Sequence, residues 1–169
     1  MKRKWLIIIA AILIVLIPAV IISKNLYERG KLSNQICKVI DVKCDDNDAN
    51  ECVIDLNVIA DFSWDKMLLY EVGMTSSEIG EILDVDFSDY LEWMSGMVFV
   101  KDNKVVYHES IFYDGETRVK LNIYVERVDG EGKYFVCTPA NAEFIGMRWI
   151  GEDGKKYYTI KTYEKHSNN

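Results

Sequence analysis

The chain of 169 residues carries 20 Lys+Arg against 27 Asp+Glu, a formal net charge of −7, with two histidines and four cysteines. An acidic balance argues against a nucleic-acid binder, which neutralises phosphates with basic surface. The length allows one ordinary domain once an N-terminal apolar segment is set aside.

That segment is Trp5 to Ile22, eighteen residues without a charge, preceded by Lys2, Arg3 and Lys4. As a helix rising about 1.5 Å per residue it nearly matches the roughly 30 Å hydrocarbon core of a bilayer. Pro18 falls near its end, where a missing backbone hydrogen bond costs least. A cleaved secretory signal is the rival reading, but the apolar run is longer than the ~7–15 residues of such a signal. Val20 to Asn25 also lacks a small-x-small cleavage site. The basic flank stays cytoplasmic. The expectation is therefore a single-pass protein of the cell membrane: residues 1–4 inside, a transmembrane helix at 5–22, a stem at 23–35, an exported domain at 36–164 and a polar tail at 165–169.

The exported part holds 17 Lys+Arg against 27 Asp+Glu, unevenly placed. Asp41 to Glu92 has fifteen acidic residues and two basic ones, while Trp93 to Asn169 balances at eleven each. All four cysteines lie in the exported part. Outside the cell an even number permits two disulfides. Cys44 and Cys52 enclose an acidic loop they would staple, leaving Cys37 with Cys137 to tie the domain's start to its far half. No N-x-Ser/Thr acceptor occurs, which favours a bacterial source.

In chain order, Ile36–Lys43 and Cys52–Ala60 read as antiparallel strands around the acidic loop; in the second, Ile54, Leu56, Val58 and Ala60 share a face. Asp61–Asp65 is a turn, and Lys66–Val72 is a strand apolar on both faces, hence central in its sheet. Thr75-Ser76-Ser77-Glu78 is a capping box opening a short helix with Ile79, Ile82 and Leu83 inward. Ser88-Asp89 opens a second, carrying Leu91 and Met94. Met97–Lys101 and Lys104–Glu109 form a hairpin across Asp102-Asn103, residues that tolerate the positive φ of a tight turn. Arg118–Glu126 alternates, with Val119, Leu121, Ile123 and Val125 inward. Lys133–Thr138 is a further strand, and Phe144–Ile150 with Lys156–Tyr163 is a last hairpin across Gly151–Gly154. The predicted fold class is α+β: a transmembrane helix, then one domain with a mostly antiparallel sheet of about eight strands and two short helices. A sandwich or barrel with a helical insertion is the alternative.

Phe62-x-Trp64-Asp65-Lys66-Met67, the capped helix at Thr75–Leu83, and Val98-Phe99-Val100-Lys101 turning into Lys104-Val105-Val106-Tyr107 together resemble a family of small exported bacterial proteins. Some of its members look like lipoproteins and others like single-pass anchored proteins. The likeness covers residues 55–110. It implies an extracytoplasmic location and this fold type, and it transfers no catalytic residue. A lipid-attachment cysteine is missing here.

Catalytic constellations are thin. His108 lies on a predicted strand and His166 in the tail, neither arranged with a nucleophile. No C-x-x-C supplies a zinc site, and no phosphate-binding or nucleophile-elbow motif occurs. Asp45-Asp46-Asn47-Asp48 and Glu51 invite calcium, but lack the glycine and ligand spacing of an EF-hand. No cofactor is expected. Trp64-Asp65-Lys66 and Arg148-Trp149 are the candidate partner-binding residues, tryptophan and arginine being enriched at hot spots. The expected function is an anchored, acidic, non-catalytic domain for protein–protein interaction, with a basic protein as the partner its charge would suit. An immunity protein against a basic toxin is one alternative, and a carboxylate-based hydrolase another.

Overall fold

The computed structural model describes residues 30–44, 51–113, 119–126 and 133–162. The predicted transmembrane helix, the histidine at 166 and the acidic loop at 45–50 lie outside them. Among the described residues, no helix is long and apolar enough to cross a membrane.

The fold is α+β, with eight strands divided between two four-stranded sheets. The elements are α1 (Leu32–Lys43), β1 (Glu51–Asp55), α2 (Leu56–Ile59), β2 (Lys66–Tyr70), α3 (Ser76–Leu83), β3 (Met94–Lys101), β4 (Lys104–Phe112), β5 (Leu121–Tyr124), β6 (Tyr134–Cys137), β7 (Glu143–Ile150) and β8 (Lys156–Lys161). One sheet runs β1-β7-β8-β5 and the other β4-β3-β2-β6. Every pairing is antiparallel except β5 with β8. The single predicted sheet is thus corrected to two, facing each other across one core.

That core takes Ile54, Phe144, Ile123 and Ile160 from the first sheet, and Met67, Leu69, Met97 and Phe99 from the second. The other face of the second sheet, with Leu68, Tyr70, Val98 and Val100, is covered by Ile79 and Leu83 of α3. Burial on both faces explains why Lys66–Val72 reads as a strand apolar on both faces; β2 is indeed central, between β3 and β6. The predicted β3–β4 hairpin forms across Asp102 and Asn103, both left-handed with φ of 50° and 56°.

The largest correction is at Ile36–Lys43, a helix and not a strand. Its β-branched content favours a strand locally, but Leu32, Ile36, Cys37 and Ile40 recur at helical spacing and are all buried. Packing overrides the local preference. Gly146 lets α1 lie close on the first sheet: a Cβ there would meet Ile40 Cγ1 at 2.8 Å. Leu32 and Ser33 sit in this helix, so the predicted stem at 23–35 overlaps it. Further along, Asp55 accepts from the Asn57 N–H at 2.8 Å and opens a helical turn. This turn ends β1 early and leaves Val58 outside, 78% exposed, while Ile54 and Leu56 are buried. No helix forms at Ser88-Asp89; the chain there is a loop.

Cys44 and Cys52 are joined, as expected. Cys37 and Cys137 are free thiols, which corrects the second predicted bridge. Both are buried, and burial pushes their thiols up to about 11 and about 12, leaving them protonated and unreactive at neutral pH. Replacing both Cys44 and Cys52 by serine opens a short loop, and equilibrium urea unfolding should record a loss of roughly 2.5 kcal/mol.

Candidate partner-binding face

Helix α3 and the loop that follows it form the acidic surface that the charge count anticipates. Thr75 caps α3 in a complete capping box with Glu78, and hydrogen bonds from Thr75 hold the Glu78 carboxyl below its usual range. Asp84 ends the helix in the left-handed region at φ 57°, a conformation aspartate tolerates. Glu78, Glu81, Asp84, Asp86 and Glu92 are all exposed here. No basic side chain among the described residues forms an ion pair with any of these five.

Asp89 ties the loop to the sheet. Its carbonyl accepts from the Ser76 hydroxyl, and its carboxylate receives His108 Nε2 at 3.2 Å and Ser110 Oγ at 3.4 Å. Tyr70 and Ser110 share a hydrogen bond of 2.9 Å, and burial raises the Tyr70 phenol to about 12. Ser, His and Asp therefore meet, but His108 and Ser110 bond to the same carboxylate and not to each other. A nucleophile activated by histidine needs the hydroxyl on the imidazole. The arrangement fastens a loop.

Three grooves lined by described residues border this loop. One of about 520 Å³ runs beside Glu81, Asp84 and Asp86. A second, about 490 Å³, lies between Met74, Leu91 and Trp93. The third, about 410 Å³, opens at Tyr107, His108 and Glu109. Glu109 in that last groove is buried and caps α1: its carboxylate accepts the Ser33 N–H at 3.1 Å, the Ser33 hydroxyl, and the Tyr107 O–H at 2.6 Å. A carboxylate at a helix N-terminus is favourable by charge as well as by hydrogen bonding. Among the described residues, no group of three or more His, Cys, Asp or Glu is placed to hold a metal ion.

The residues singled out from sequence fall elsewhere. Trp64 is a core residue, 4% exposed, edge-on to Phe99 at 5.2 Å; its reading as an exposed anchor is corrected. Asp65 accepts from the Asp102 N–H at 2.9 Å and braces the β3–β4 turn. Lys66 reaches the Leu83 carbonyl at the end of α3, 3.4 Å away. Trp149 stacks on Tyr157 at 4.8 Å, on the first sheet.

Arg148 lies 3.3 Å from Asp41, which also receives Lys156 at 2.9 Å and the Tyr158 hydroxyl at 2.8 Å. Burial pushes the Asp41 carboxyl up, but these three hydrogen bonds outweigh it and hold it below the usual range. Asp41 thus pins α1 to β7 and β8. A carboxyl lowered by folding stabilises above its unfolded pKa of about 3.9 and loses that contribution as pH falls through its folded value. Asp41→Asn should therefore cost about 1 kcal/mol at pH 7, allowing for solvent screening of a partly exposed group. The difference from the parent should vanish in the most acidic melts.

Sequence reasoning missed Asp41, Asp89 and Glu109, whose partners lie far along the chain. It also missed Tyr90 and Trp93, 69% and 59% exposed; two aromatics in an acidic stretch were the available signal. No family model, curated protein or solved structure matches the chain.

Proposed function

We propose that this chain is a single-pass, membrane-anchored bacterial protein that holds an acidic, non-catalytic domain outside the cytoplasm for binding another protein. The observation that carries the reading is the exposed acidic set on α3 and its loop, Glu78, Glu81, Asp84, Asp86 and Glu92, none of which is in ion-pair contact with a basic side chain among the described residues. An exposed acidic face attracts a basic surface and steers its approach. An immunity protein that blocks a basic toxin is the sharper form of the same reading. Export is supported by the apolar run Trp5 to Ile22 behind a basic flank. The Cys44–Cys52 bridge adds support, since disulfides persist in oxidising compartments.

The test is a photo-crosslinking residue placed at Glu81 in the full chain in its native membrane, with Ile150 on the first sheet as the control position. A basic protein should be trapped from position 81 and not from 150, and the adduct should fade as salt rises. Protease added outside intact cells should digest the domain. Trapping at both positions alike, or a domain protected inside sealed cells, would contradict the reading.

A further inference from the structure

The groove between Met74, Leu91 and Trp93 differs in character from the rest of the face, being mainly apolar. We propose that it receives a short extended segment of a partner protein in which an aliphatic or aromatic side chain is followed by lysine or arginine. This rests on the reading of the α3 face as a partner surface, and adds where on it the partner inserts and by what chemistry.

The shape favours a segment of protein. At about 490 Å³ the groove falls within the roughly 300–1,000 Å³ of small-molecule pockets, but such pockets enclose most of their ligand. Here Trp93 lines the groove and is 59% exposed, and its chain neighbour Tyr90 is 69% exposed, so a small ligand would stay uncovered. Exposed Trp and Tyr beside an apolar recess are the side chains on which protein contacts concentrate.

Charge sets the direction of the occupant. Asp89 and Glu92 both line the groove; Asp89 is held by His108 and Ser110, whereas Glu92 accepts only the Tyr90 hydroxyl and has no basic neighbour in ion-pair contact among the described residues. Lys133 approaches the groove at Gly73, its Nζ 3.4 Å from the Gly73 carbonyl. The incoming cation therefore belongs beside Glu92, where the Trp93 indole face offers a cation–π contact.

Trp93 holds φ at 59°, an outlier for so bulky a residue. The turn is locked by Met94 N–H to the Leu91 carbonyl at 2.9 Å and Tyr113 N–H to the Trp93 carbonyl at 2.8 Å. Glycine would make this turn with less strain. The indole is kept where the backbone resists it, and strain of this kind collects at binding sites.

The experiment selects a random twelve-residue peptide library against the full chain in detergent micelles. Enriched peptides should be cationic, with Lys or Arg next to an aliphatic or aromatic residue. Their affinity should fall at least about tenfold in Trp93→Gly and in Glu92→Lys, as expected of hot-spot positions. Glu81→Lys, in the neighbouring groove of the same acidic face, should weaken binding less than Glu92→Lys does, and Ile150→Lys, at the exposed control position on the first sheet, should leave affinity within about twofold, as substitutions outside a hot spot do. Trp93→Gly should melt no lower than the parent, which separates lost binding from lost folding. Enrichment of acidic peptides, no enrichment, or binding indifferent to Trp93 overturns the proposal. A dimer that Trp93→Gly dissolves in sedimentation would make the occupant a second copy and overturns it too. Binding lost in Glu81→Lys but kept in Trp93→Gly sinks the groove and spares the acidic face; indifference to both charge reversals removes both.

Discussion

Replacing Trp64 by alanine is expected to lower the stability of the domain by about 3–5 kcal/mol, the range for a large aromatic deleted from a core. The indole is 4% exposed and meets the Phe99 ring edge-on at 5.2 Å; Phe99 also contacts Phe62 at 5.1 Å and Tyr107 at 6.0 Å. Few cavities of that size collapse fully, because the surrounding rings are held by β3, β4 and the turn before β2. A domain of ordinary stability has about 5–15 kcal/mol in hand, so the variant keeps its fold at low temperature and melts roughly 10 °C or more below the parent. Trp64→Phe should be milder, below about 1.5 kcal/mol. The Trp64 Nε1–H is buried without a hydrogen-bond partner among the described residues, so the smaller ring also removes an unsatisfied donor. Calorimetry on the three proteins decides between a core role and a surface one. An alanine variant that melts with the parent, yet no longer yields the position-81 crosslink, would return Trp64 to the binding surface.

Gly96→Ala should be comparably severe, about 3 kcal/mol or more, beyond the usual range for an added methyl because rigid atoms receive it. A Cβ on Gly96 would stand 2.3 Å from the Glu109 carbonyl oxygen and 2.6 Å from the Tyr70 hydroxyl. Gly96 pairs with Ser110 on β4 and with Tyr70 on β2, so the methyl either parts β3 from β4 or expels Tyr70. Either route reaches the face proposed to bind a partner. Tyr70, Ser110 and Asp89 form one hydrogen-bonded chain, and Asp89 is what fastens the loop bearing Tyr90, Glu92 and Trp93. Urea unfolding should show the loss of stability. Hydrogen exchange should show the 84–93 loop opening in the variant at denaturant concentrations where the parent loop stays closed. A loop equally protected in both would break the link drawn between the sheet and the binding surface.

Much of the architecture was legible in the residues because its signals are local. The capping box at Thr75–Glu78, the Asp102-Asn103 turn and the alternation of Leu121 and Ile123 each depend on neighbours within a few positions. So does the short loop between Cys44 and Cys52, and so does the acidic character of the chain up to Glu92. Helix α1 was misread because its β-branched run favours a strand, and its helical ends are secured from afar: Glu109 caps one end, 76 residues from Ser33, and Lys156 and Tyr158 hold Asp41 near the other.

The sequence by itself determined an acidic α+β domain, its short-range turns and caps, and one disulfide. Tertiary structure alone decided that the strands divide into two sheets, that Trp64 turns inward and Trp93 outward, and that Cys37 and Cys137 stay apart as thiols. The physical reason is range. Periodicity, caps and turns are set by contacts a few residues apart, whereas burial and long-range pairing depend on which surfaces the folded chain brings together.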